Sequence, residues 1–346
     1  MTTPTAALVA VVAACGLVAT GTVLVRGVLR RRQARLRESV RPVLYSALEA
    51  GRLDPATIDT LDPARQRALE SHARSLLPNV RGQDRETLAY LLERRGAVES
   101  ARRRTRSRRP ASRIEAAGFL GEVGSSAAVP DLLILLRDPE RDVRWAAAQG
   151  LGRIADPAAV PALLSALEGK NPLPVDLAIE VVGQIRDCPV SLLRQGLRSH
   201  SVPTRAATVE LLGRFQAMAT TAEIAELLHH DRSVEVRARA ARALGRIGSP
   251  HSIEPLLSCL DSGPAAVRAQ AVWALGEVGG IEAVPALRAI IVGPSRAMGE
   301  RAARALVRIR PLGVSLLAQL AEGEGAAADS SRQALLEAEQ GRVAAC

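Results

Sequence analysis

The 346-residue chain carries 46 Lys+Arg against 36 Asp+Glu, and 47% of it is hydrophobic while only 2% is aromatic. Apolar content drawn from Ala, Val and Leu suits helix packing and argues against sheets or aromatic platforms that stack on bases. The net charge of +10 is unevenly held: residues 1–113 have 22 Arg against 10 acids, and the remainder sums to −2, so the basic character points first to a membrane surface and only second to nucleic acid.

The first element is an uncharged run over residues 5–25. At about 1.5 Å per residue it spans about 31 Å, close to the ~30 Å of a hydrocarbon core. Three readings compete: a cleaved secretory signal, a lipoprotein signal at Val12-Ala13-Ala14-Cys15, and a permanent anchor. A cleaved signal wants positive charge before the apolar run, and Met1-Thr2-Thr3-Pro4-Thr5 has none. The apolar run also continues past Cys15. The positives follow instead, at Arg26, Arg30, Arg31, Arg32, Arg35 and Arg37, and such flanks stay on the cytoplasmic side. Residues 1–26 are therefore expected to form a single-pass transmembrane signal-anchor in the plasma membrane. Its N-terminus would lie outside and everything C-terminal in the cytoplasm. Ala6, Ala10 and Ala14 share one face, which either packs two anchors together or is simply part of an alanine-rich span.

Residues 27–82 read as a basic juxtamembrane and helical linker. SVRPVLYSALEAG and PARQRALESHARSLLP are its helices, with a loop through Asp54-Pro55 and Asp62-Pro63. Residues 83–112 read as an N-terminal capping repeat, begun by the helix GQDRETLAYLLERRG. Its second helix carries arginines where the next unit has Leu132 to Leu136, which gives a polar outer face. Arg102, Arg103, Arg104, Arg106, Arg108 and Arg109 form the densest charge cluster in the chain. They are a solvated cap, a contact to anionic headgroups together with Arg30, Arg31 and Arg32, or a hold on an acidic partner or nucleic acid.

From residue 113 to 346 the chain repeats itself. FLGEVG, GLGRIA, VVGQIR, LLGRFQ, ALGRIG, ALGEVG and ALVRIR place Gly121, Gly152, Gly183, Gly213, Gly245, Gly276 and Val307 at intervals of 30 to 32 residues, and a degenerate last copy falls at Glu337. Each unit reads as two helices. In the second, Asp138-Pro139 is the expected start, Val143, Ala146, Ala147 and Leu151 mark one apolar face, and Asp156-Pro157 restarts the pattern. Val160, Leu163, Leu164 and Leu167 form the second face, and Gly169 is the stop. An arginine recurs near the start of each first helix: Arg113, Arg144, Arg205, Arg237, Arg268 and Arg301. The third unit departs from this, with Pro172, Pro174 and Asp176 where the arginine belongs. That breaks the arginine row and bends or loosens the join, either as a partner site or as drift.

The pattern VRxxAxxALGxIGxxxAVPxLxxxL, matched from Val143, Val236 and Val267, resembles the bacterial HEAT-like repeat of the phycobilisome-lyase type. The resemblance implies an all-α solenoid of about seven helical hairpins. It also implies that the recurring arginines stack against acids of neighbouring repeats, with Asp142 and Glu235 as expected partners, and that second helices line the binding face. On that face Arg137, Glu168, Arg194, Arg198, Glu223, Glu226 and Arg288 are the candidate partner contacts. The expected function is a membrane-tethered cytoplasmic scaffold for a protein partner. Similarity to anchored bacterial HEAT proteins that accompany glycosyltransferases points to a cell-envelope enzyme as that partner. The alternative is anionic-lipid or nucleic-acid binding through Arg102–Arg109, with nucleic acid the less favoured. Bilin-lyase-like or DNA-glycosylase-like catalysis ranks below both.

No phosphate loop, dinucleotide fingerprint, nucleophile elbow or zinc-protease motif occurs. Cys15, Cys188, Cys259 and Cys346 form no CxxC pair and fit reduced thiols in a cytosol. His229-His230-Asp231 is the one tight histidine group, and adjacent residues on a helix point different ways. No enzyme activity, cofactor or metal is expected.

Overall fold

The computed structural model describes residues 31–343, apart from residue 187. Every regular element among them is helical. The expected anchor over residues 5–25 lies outside the described residues, as do Arg30, Cys15 and Cys346. Among the described residues no helix is long and apolar enough to cross a membrane. Packing divides the chain into two units, with the boundary between Asp131 and Leu132.

The first unit holds α1 (residues 31–49), α2 (Pro55–Asp59), α3 (Pro63–Leu76), α4 (Gly82–Arg94), α5 (Ala97–Arg104) and α6 (Pro110–Val123). The expected loop through two Asp-Pro pairs is resolved into the starts of α2 and α3. Asp54 accepts the N–H of Ala56, Asp62 accepts those of Ala64 and Arg65, and each proline takes a first-turn position where its missing N–H costs nothing. Leu44, Leu69, Leu88, Leu91, Leu92 and Leu120 are fully buried, each contributing about 1.5–3 kcal/mol by leaving water. Arg74 lies over the Phe119 ring at 4.1 Å, and Arg85 donates to the Gly121 and Glu122 carbonyls that α6 leaves without helical partners.

The boundary falls within α7 (Val129–Leu135). In the second unit first helices alternate with second helices. The first helices are α8 (Arg141–Ile154), α10 (Val175–Gly183), α12 (Val202–Arg214), α14 (Val234–Ile247), α16 (Ala265–Val278) and α18 (Arg296–Arg308). The second helices are α9 (Val160–Ser165), α11 (Val190–Arg194), α13 (Thr221–His230), α15 (Ile253–Ser262), α17 (Val284–Val292) and α19 (Leu312–Ala321). The degenerate last copy is one long helix, α20 (Ala326–Val343). The faces read from sequence are buried: Val143, Ala147, Leu151, Val160 and Leu163 have no exposure. One boundary differs. Helix α8 begins at Arg141 behind Glu140, because Asp138 spends its carboxylate on the Glu140 N–H in a turn before the helix.

The periodic glycine is where successive first helices touch. A Cβ on Gly245 would sit 2.7 Å from the Cα of Ala274, and one on Gly276 would sit 2.8 Å from the Cα of Ala305. Backbone occupies the space, so any side chain forces the helices apart. At the third unit this contact is relaxed: the nearest atom to a Cβ on Gly183 is the Arg214 guanidinium, at 4.0 Å. This is the join of α10 to α12; at the α8–α10 join, where Pro172 and Pro174 lie, a Cβ on Gly152 would meet the Gln184 and Val181 side chains at 2.6 and 3.1 Å.

The arginine row meets an acid as expected at Arg205, though that acid is Asp231 and not Asp142 or Glu235, and it also has backbone acceptors. Arg113, Arg144, Arg205 and Arg237 each donate Nη1–H to the carbonyl six residues earlier, on Ser107, Asp138, Ser199 and Asp231, at 2.8 to 2.9 Å. These carbonyls lie just beyond the preceding second helix, where no helical N–H reaches them. Glu235 pairs instead with Arg239 on its own helix. At the third unit Asp176 stands where the arginine belongs, and the row is interrupted. Glu168 accepts from Ser199 Oγ at 2.8 Å and from Thr204 Oγ1 at 2.9 Å, and Ser199 passes its carbonyl to Arg205. These hydroxyl bonds join the end of the second repeat to the start of α12.

Candidate functional site

Four first helices of the second unit, α10, α12, α14 and α16, surround a groove of about 630 Å³. Asp176 and Ile179 come from α10, Glu210 and Arg214 from α12, Ala266 and Gln270 from α16. Helix α14 supplies Arg239, Arg242 and Arg246, whose i, i+3, i+7 spacing puts all three on one face. A second depression of about 570 Å³ shares Arg214 and Arg246 and adds Trp273 and Glu277.

The groove is built around a buried carboxylate. The Glu210 side chain is 7% exposed and accepts from Arg246 Nη1 and from Arg214 Nε, the latter at 3.3 Å. Burial by itself pushes this carboxyl up. Arg246, then Arg214 and Arg242, outweigh burial and hold it below the usual carboxylate range. Arg239 is braced by Glu235 at 3.1 Å. Arg242 stands exposed on the same ridge and forms no ion pair among the described residues. Guanidinium groups fixed this way present planar donors suited to carboxylates of an incoming chain. Among the described residues no group of three or more metal-ligating side chains occurs. Asp231 of the histidine group is turned inward to Arg205, and His229 Nδ1 lies 3.8 Å from Cys259 Sγ.

The residues expected on the second-helix face are scattered. Arg194 and Glu223 do come together, Nε to Oε1 at 2.9 Å, and Arg194 also donates to the Ala219 carbonyl, so the two satisfy each other. Glu226 lies 3.7 Å from His230 Nε2 on its own helix. Glu168 belongs to the repeat junction described above. Arg137, Arg198 and Arg288 are exposed.

The basic cluster of the first unit is partly neutralised from within. Arg102 binds Asp131 at 2.6 Å and Glu99 at 3.3 Å, Arg104 binds Glu115 at 3.0 Å, and Arg106 lies 3.8 Å from Asp131. Arg103, Arg108 and Arg109 remain exposed. Run density in a sequence does not register acids that arrive from the next helix. Conversely, the groove on the first helices was not singled out from sequence. Its signal was the spacing of Arg239, Arg242 and Arg246, which the expectation of a second-helix binding face passed over.

The HEAT-repeat family pattern matches residues 98–183, 129–197, 190–267 and 253–338. No curated protein matches the chain. Among solved structures, a Kap121p mutant is similar with a TM-score of 0.56 at 12% identity, over 87% of this chain and 41% of that one. Importin β is similar with a TM-score of 0.51 at 15% identity, over 77% of this chain and 47% of that one. The chain thus spans less than half of either. The CpcE–CpcF complex of phycocyanin lyase from Nostoc sp. PCC7120 aligns over 68% of this chain and 93% of that one, at 23% identity and a TM-score of 0.32. These likenesses concern the fold, and with the family pattern matched over more than half of the sequence, the chain belongs to the HEAT-repeat family.

Proposed function

We propose that the chain is a non-catalytic scaffold whose second unit binds an acidic segment of a protein partner along the first-helix groove, and that residues 5–25 tether it to the inner face of a plasma membrane. The observation that carries the binding reading is the arrangement at Glu210: its carboxylate and that of Glu235 orient three arginines, and Arg242 beside them forms no ion pair among the described residues. HEAT-type arrays offer extended surfaces of stacked helices, and such surfaces characteristically bind other proteins. The tether reading rests on the uncharged run and the arginines that follow it. A cell-envelope glycosyltransferase as the partner rests on the resemblance alone.

A photo-crosslinking residue placed at Arg242, and in separate chains at Arg198 and Arg288, tests the surface in intact membranes. Crosslinks to one protein from position 242, abolished by a neighbouring Arg239→Glu change, are expected. Crosslinks confined to positions 198 and 288 would move the binding face to the second helices, and their absence everywhere would end the scaffold reading. For the tether, a periplasm-only reporter fused after Cys346 is expected to be silent.

A further inference from the structure

A groove of about 370 Å³ in the first unit lies between α1 and α3. Its rim carries Arg32, Arg37 and Arg67 with the polar donors Gln33 and Ser71, and its floor is Leu36 with two alanines of α3. None of its described lining residues is acidic. Arg37 Nη2 reaches Ser71 Oγ at 3.4 Å, which ties the two helices across the groove. The His72 imidazole, next to Ser71, is held below its ordinary pKa by burial first and then by Arg37 and Arg41, against an opposing pull from Glu38. Cationic and hydroxyl donors over an apolar floor match a glycerophospholipid, whose phosphate takes the donors while its first acyl carbons cover the floor. The apolar run over residues 5–25 ends just upstream of Arg32, so the groove belongs to the stretch that follows the proposed anchor.

We infer that the groove bounded by Arg32, Arg37, Arg67 and Ser71 is a binding site for the headgroup of an anionic phospholipid. The inference rests on the proposed membrane tether only for the supply of lipid; the described lining residues all lie in the first unit. It differs from a diffuse attraction of basic residues to a charged surface in being saturable and in needing two helices.

The test uses the full chain in a neutral detergent, titrated with dihexanoyl-phosphatidylglycerol and followed by native mass spectrometry. Saturable one-to-one binding is expected, with dihexanoyl-phosphatidylcholine at least tenfold weaker. The double change Arg37→Gln with Arg67→Gln is expected to weaken phosphatidylglycerol binding about tenfold or more, at about 1 kcal/mol for each arginine near a headgroup. Arg65→Gln removes the same charge from the same helix outside the groove and is expected to leave binding unchanged. Equal loss in Arg65→Gln, or no loss in the double variant with an unchanged melting temperature, would overturn the site. Inorganic phosphate binding as tightly as the lipid would overturn the lipid assignment. Failure of the tether is read separately, by flotation of cell membranes: extraction of the wild-type chain by salt alone would remove the tether and leave the detergent measurement standing.

Discussion

Arg205 and Asp231 lie 26 residues apart in the chain and meet in a two-pronged ion pair, Nε to Oδ2 at 2.6 Å and Nη2 to Oδ1 at 3.0 Å. Their side chains are 13% and 2% exposed. The same Asp231 accepts the Ser233 N–H at 2.8 Å and gives its carbonyl to Arg237 of the next helix at 2.8 Å. One aspartate thereby links two first helices, α12 and α14, through the loop between α13 and α14.

Removing Asp231 strands a guanidinium that is mostly out of water. Asp231→Ala is expected to cost about 3 kcal/mol, as for other buried pairs broken on one side. Arg239→Ala, which loses a half-exposed pair on a helix surface, is expected to cost well under about 1 kcal/mol. Thermal melts of the two variants beside the parent protein measure the contrast.

The pH dependence has a definite sign. Burial raises the Asp231 and Glu210 carboxyls, but their arginine and N–H partners more than offset this, and both fall below the ordinary carboxylate range. A depressed folded-state pKa stabilises the fold above the unfolded-state value of about 4 and is lost as pH falls through the folded-state value. Melting temperature is therefore expected to drop on acidification below about pH 4, and Asp231→Asn combined with Glu210→Gln should flatten that slope while lowering stability at neutral pH. A parallel decline in parent and variant would show that other carboxylates govern acid unfolding.

The glycine contacts predict opposite outcomes for one substitution at two repeats. Gly245→Ala drives a methyl group into the Ala274 backbone and is expected to destabilise by about 1–3 kcal/mol through overpacking. Gly183→Ala meets only a movable arginine at 4.0 Å, and the reduced freedom of the unfolded chain should make it neutral or stabilising by up to about 1 kcal/mol. Denaturant midpoints distinguish the two.

At the third unit, Glu168→Ala is expected to cost about 0.5–1.5 kcal/mol by stranding the Ser199 and Thr204 hydroxyls. A double-mutant cycle with Thr204→Val should show coupling between the two positions. Strict additivity would mean that the hydroxyl bonds add nothing to the join.

The array was legible because its strongest constraints fall on side chains. A glycine at most of the first-helix contacts and an apolar face at helical spacing leave a repeating mark, and the positions from Gly121 to Val307 carry it. Four arginines of the row also donate to backbone carbonyls, which every residue possesses, so Arg144 and Arg205 were visible while the carbonyls of Asp138 and Ser199 were not. Asp142 and Glu235 suggested themselves through sequence proximity, yet Arg205 finds its acid at the far end of a helical hairpin. The Glu210 site was hidden for a related reason: its partners Arg214 and Arg246 sit on consecutive first helices, and a lone glutamate in α12 gives no sign that burial has enclosed it.

The junction from Glu168 through Ser199 and Arg205 to Asp231 and Arg237 also bears on how such a chain can change in length. Each link expects a particular donor or acceptor from the next repeat: a carboxylate facing hydroxyls first, then a guanidinium facing a carboxylate. Cutting out or duplicating one 31-residue segment in this stretch would bring together ends whose polar groups do not correspond. In this stretch the repeats therefore have fixed addresses, even though glycine against alanine is the same joint at Gly213, Gly245 and Gly276.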